Sequence, residues 1–86
     1  MSSIMDILIV MERNPSGVRF IELCKICDHY FGLPRQKSSS HRVYKTPWAG
    51  DLRVNIQNKK GMAKPYQVKQ VLKAIQKLRE ENGQKY

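Results

Sequence analysis

Leu52-Arg53-Val54-Asn55-Ile56-Gln57 alternates apolar and polar side chains at every step, the period of a strand with one buried face and one wet face. Upstream, His41-Arg42-Val43-Tyr44-Lys45 reads as its hairpin partner, with Thr46-Pro47-Trp48-Ala49-Gly50-Asp51 supplying Pro and Gly for the reversal. Residues 34–39 are expected to add a short polar strand before a Ser-rich turn, and Asn58-Lys59-Lys60-Gly61 to close the sheet. Two or three antiparallel strands result.

On either side of this sheet the period changes to that of helices. Phe20, Leu23, Cys24, Cys27 and Phe31 fall at i, i+3, i+4, i+7 and i+11, one stripe of an amphipathic helix that Gly32 and Pro34 end. Downstream, Pro65 suits a first helical turn, and Val68, Val71, Leu72, Ile75 and Leu78 form the buried stripe, with Lys69, Lys73 and Lys77 on another face. At the start of the chain, Ser3 and Asp6 have the spacing of a capping box, and Ile4, Met5, Ile7, Leu8, Val10 and Met11 follow before Asn14-Pro15. That helix, over residues 2–13, is apolar on most sides, so its own domain or a partner chain must cover it. The expected fold is α+β: helices packed on one face of a small three-stranded antiparallel sheet, with an extra N-terminal helix. Residues 1–86 form a single domain, with a core over 18–78 and a polar tail at 82–86.

The charge is unevenly placed. The 86 residues hold 16 Lys and Arg against 7 Asp and Glu, a net charge of +9. Residues 1–34 carry 3 basic and 4 acidic groups, whereas residues 35–86 carry 13 basic and 3 acidic. The second half is the one to meet a polyanion. The longest apolar run, Ile7–Met11, is far short of the ~20 residues of a membrane span. Asp6 stands where a basic leader would, with no small-residue cleavage site after it, so no membrane association and a cytoplasmic location are expected.

Within the basic half, Lys37-Ser38-Ser39-Ser40-His41-Arg42-Val43-Tyr44-Lys45 sets a histidine at a strand entrance among hydroxyls and cations. Imidazole exchanges protons near neutral pH, and Lys37, Arg42 and Lys45 would hold a phosphate beside it. RNA brings its own nucleophile, the 2′-OH, so one base and nearby cations suffice for scission without a metal. Asn58-Lys59-Lys60-Gly61-Met62-Ala63-Lys64, just before the last helix, is a second candidate phosphate seat. Trp48 and Tyr44 are candidates for stacking on bases, or for packing within the protein. Cys24-Lys25-Ile26-Cys27 with His29 has a metal-binding spacing, but a zinc site needs four ligands, and the rest of the chain offers only His41, which the phosphate-site reading already claims. Core packing is the expected role of both cysteines, and no metal or other cofactor is expected. On these residues alone, a ribonuclease and a non-catalytic RNA- or DNA-binding module both remain open.

From Val18 to Leu78 the chain resembles the HicA family of toxin–antitoxin ribonucleases. The resemblance is carried by Ser39-Ser40-His41-Arg42-Val43-Tyr44-Lys45, by Arg53-Val54-Asn55-Ile56-Gln57, and by Ala63-Lys64-Pro65-Tyr66-Gln67-Val68. Ser39 stands where the family often has glycine. The resemblance implies a double-stranded-RNA-binding-like fold, mRNA as substrate, His41 as catalytic residue and a HicB-type antitoxin as partner. The expected nucleic-acid contacts are Lys37, Ser39, Ser40, Arg42, Lys45, Lys59, Lys60 and Lys64.

Overall fold

A computed structural model describes residues 3–38, 40–46 and 53–81. The elements run α1 (Ile4–Arg13), a 3₁₀ turn (Pro15–Gly17), α2 (Phe20–Phe31), β1 (Gln36–Lys37), β2 (His41–Lys45), β3 (Arg53–Lys59), β4 (Met62–Ala63) and α3 (Pro65–Glu81). The strands form one antiparallel sheet in the order β1-β2-β3-β4. The α+β class stands, but the sheet has four strands instead of the expected three. Trp48, Leu52 and the tail at 82–86 lie outside the described residues.

Alternation sorts the sheet's two faces. Tyr44 pairs with Val54, and Arg42 with Ile56, so these four share a face. Tyr44, Val54 and Ile56 join Leu23, Cys24, Ile26 and Cys27 of α2 and Val68, Val71 and Ile75 of α3 in one buried cluster. The opposite face carries His41, Val43 and Lys45, paired with Gln57, Asn55 and Arg53. Sequence parity linked His41 to Val43 without saying which way they point. The helices lie on the other side.

The capping box at the start of α1 forms. Asp6 N–H donates to Ser3 Oγ at 3.1 Å and Ser3 N–H to the Asp6 carboxylate at 3.4 Å. Packed on α2 and α3, α1 buries Ile7, Leu8 and Met11. Met5, Ile9 and Val10 stay exposed, so the domain covers only one stripe of this helix.

The fourth strand arises where a loop was expected. Asn58 pairs with Ala63 and Lys59 with Met62, leaving Lys60 and Gly61 as a two-residue hairpin turn. Their φ values of 53° and 87° are the two positive angles of a type I′ turn. Asn58 Oδ1 clamps the turn by accepting the Gly61 N–H at 2.6 Å. On its other edge β4 is held by Val18–Arg19: Ala63 N–H donates to the Val18 carbonyl at 2.9 Å and Arg19 bridges to Met62. Two residues are too few to show a strand period, and a partner more than forty positions upstream is invisible to local reading.

Lysine is a poor choice at a left-handed position. Asn-Gly is the preferred type I′ pair, so Lys60→Asn should raise stability by about 0.5–1 kcal/mol, read as a higher urea midpoint at unchanged slope.

Candidate nucleic-acid interface

His41 opens β2, and its backbone is held from both sides. Its carbonyl accepts from Ser38 N–H at 2.8 Å and Ser38 Oγ at 3.2 Å, while the preceding Ser40 carbonyl accepts from Asn58 N–H at 2.9 Å. Ser40 N–H donates back to Ser38 Oγ at 3.4 Å. These bonds tie the β1–β2 turn to the end of β3. The imidazole therefore stands on the open face of the sheet, where the chain turns into the basic hairpin.

Here lies a pocket of about 430 Å³ lined by Ser40, His41, Gln57, Asn58, Lys59 and Lys64. Two segments that the sequence presents as separate candidates, 37–45 and 58–64, meet in it. His41 and Lys64 are partly buried, whereas Ser40 and Lys59 are exposed. Asn58 Oδ1 is taken by Gly61, which leaves the amide NH₂ as a donor. One proton-exchanging group, two ammonium groups, a hydroxyl and two side-chain amides line a concavity sized for a phosphate and sugar. That chemistry suits a phosphodiester.

Gln57 and Asn58 were not singled out from the sequence. Gln57 is the cross-strand neighbour of His41, and register, once drawn, brings it to the site. Its position is fixed from α3: Gln67, 4 % exposed, accepts the Gln57 backbone N–H through Oε1 at 2.8 Å.

Other expected contacts are not brought here. Arg42 points to the helix side, where Nη1 stands 3.7 Å from Asp28 Oδ2 and 3.5 Å from the Tyr44 hydroxyl. It is a tie between sheet and α2, not a phosphate contact beside His41. Lys37 pairs with Arg42 in register and shares that side. Lys45 is on the His41 face but four residues along β2, about 13 Å away at the rise of a strand. Lys60, in the turn, is exposed next to the pocket without lining it. Ser39 lies outside the described residues. Tyr44 is fully buried and donates to Asp28 Oδ1 at 2.6 Å; of its two expected roles, packing is the one it fills. His29 is on α2, across the sheet from His41.

The cysteines are core residues. Burial pushes both thiols up, and for Cys27 the neighbouring Cys24 and Asp28 push in the same direction. Both remain protonated at neutral pH and are poor nucleophiles. A thiol pKa raised in the folded state favours folding below the ordinary value of 9.0 and loses that contribution as pH rises beyond it. The urea midpoint is expected to fall above pH 9.0, and less steeply in Cys27→Ala measured against its own neutral-pH value. Among the described residues, no three His, Cys, Asp or Glu side chains are grouped to hold a metal ion, and no helix is long and apolar enough to cross a membrane.

Compared with protein-family models, curated proteins and solved structures, the chain finds no match.

Proposed function

We propose that this protein is a HicA-like toxin, a metal-independent endoribonuclease that cuts mRNA with His41 as its catalytic base, on a double-stranded-RNA-binding-like fold. The observation that carries this reading is the pocket that joins His41 and Ser40 to Lys59 and Lys64 on the open face of the sheet. In the reaction, Nδ1 or Nε2 of His41 takes the proton of a ribose 2′-OH. The 2′-oxygen bonds to the adjacent phosphorus, the bond from phosphorus to the 5′-oxygen breaks, and water protonates that leaving oxygen. The imidazolium then returns its proton to solvent. Charge builds on the non-bridging oxygens meanwhile, and Lys59 and Lys64 are placed to stabilise it.

Lys64 immediately precedes α3, whose first turn carries no acidic residue. The positive end of that helix adds to the field at the pocket. The partner that restrains the toxin, a HicB-type antitoxin, belongs to the reading through the sequence resemblance, and it would act by covering this face.

Expression of the intact chain should arrest growth and expression of His41→Ala should not. Equal arrest by both would overturn the reading. The lysines are separable in vitro. Lys64→Ala should reduce the slope of log affinity for single-stranded RNA against log salt by about 0.7, the value of one phosphate contact. Lys37→Ala, on the other side of the sheet, should leave that slope unchanged.

A further inference from the structure

Tyr66 takes no part in the reaction described for His41, yet it stands beside that site. It is the second residue of α3 and 55 % exposed, whereas Phe20 and Tyr44 are buried and Tyr30 and Phe31 partly buried. Among the described residues it is the one exposed Phe, Tyr or Trp. The ring contacts found there belong to His29, Tyr30 and Arg79, so no described ring or cation is stacked on Tyr66.

Its hydroxyl end is anchored. Gln67 Nε2 donates to Tyr66 Oη at 3.4 Å and to Gln57 Oε1 at 3.5 Å, while Gln67 Oε1 accepts the Gln57 backbone N–H at 2.8 Å. One buried amide thus touches both the tyrosine and the residue paired with His41 across the β2–β3 ladder. Gln57 and Lys64 both line the His41 pocket, and Lys64 precedes Tyr66 by two positions. The ring is therefore next to the pocket without lining it.

We propose that Tyr66 is a stacking platform for an unpaired nucleobase of the RNA whose phosphate enters the His41 pocket. The inference rests on the RNA reading of that pocket and narrows the substrate to single-stranded RNA, because a base inside a duplex already has both faces stacked. An exposed aromatic on a helix, held at its far end by Gln67, loses little freedom when a base settles on it. A nucleotide that lays its phosphate against Lys64 brings its base to the neighbouring ring. Stacking accepts any base, since each has a π-face, so the platform sets strandedness and position in preference to sequence.

Binding is read on two 2′-methoxylated hexamers that cannot be cut through a 2′-OH: hexauridylate, and the same backbone without bases. Tyr66→Ala should weaken hexauridylate binding about 5–150-fold, the range of one base–aromatic stack, and leave affinity for the abasic backbone unchanged. That cycle assigns the loss to ring and base together. The salt slope should stay the same, because no phosphate contact is removed. Tyr66→Trp should retain tight binding of hexauridylate. In protein labelled with ¹³C at tyrosine, the Tyr66 ring protons should move upfield with hexauridylate and not with the abasic backbone. Equal loss on both hexamers, no loss on either, Tyr66→Trp as weak as Tyr66→Ala, or a ring signal that does not move would each overturn the proposal. Base-dependent binding by a protein that cuts no RNA would leave the platform standing and remove the nuclease. Cleavage by a protein that binds both hexamers alike would do the reverse.

Discussion

His41→Ala should lower the rate of RNA cleavage by about 10²–10⁴-fold, the usual contribution of a positioned general base. That range corresponds to about 3–5 kcal/mol of transition-state stabilisation. The loss should fall on the chemical step. The imidazole stands on the open face of the sheet and contributes nothing to the buried cluster, so thermal unfolding should be unchanged. Lys59 and Lys64 remain in the pocket, so RNA affinity should change little. Single-turnover cleavage at saturating protein separates the two effects: the variant should bind as the intact protein does and fail to cut. A variant that loses binding and cleavage in parallel would make His41 a contact and not a base.

Asp28→Ala should destabilise the domain by about 3 kcal/mol. The Tyr44 hydroxyl is fully buried and donates to Asp28 at 2.6 Å, the short distance of a hydrogen bond to a charged acceptor, and such bonds contribute about 1.5–3 kcal/mol. Removing the carboxylate also leaves Arg42, whose side chain is only 19 % exposed, without this counter-charge, and its Nε has no hydrogen-bond partner among the described residues. A stranded, partly buried cation adds to the cost. For a domain of this size about 3 kcal/mol lowers the midpoint of thermal unfolding by about 12–24 °C. Tyr44→Phe should cost less, because Asp28 and Arg42 keep each other. A larger loss in Tyr44→Phe than in Asp28→Ala would contradict the arrangement.

This network also explains why part of the site was legible in the sequence and part was not. The alternation of Val54 and Ile56 and the helical stripes of Leu23, Cys24, Cys27, Val68, Val71 and Ile75 are local and strong, and each becomes core. The hairpin of His41–Lys45 with Arg53–Gln57 follows from them. The facing of β2 does not, because Val43 and Tyr44 are consecutive, apolar in body and both buried. What decides it is the contact of Tyr44 with Asp28 sixteen residues away, which turns Arg42 under the sheet and His41 to the open side. Basic character alone could not separate Arg42 and Lys37 from Lys59 and Lys64; register did. Gln67 lies within the apolar stripe of α3, and its polar side chain gave no sign that it caps a strand edge. Lys60 is the converse case. Its positive φ is a local cost that the preferred Asn would avoid.

The central claim is that His41 activates a ribose 2′-OH. Its most direct test is cleavage of one RNA, and of the same sequence with every 2′-OH methylated, by intact protein in EDTA, with the product ends identified by mass. Cleavage of the unmodified RNA alone, leaving 2′,3′-cyclic phosphate and 5′-hydroxyl ends, is the expected result. Cleavage of the methylated strand, or 5′-phosphate ends on either, would contradict it.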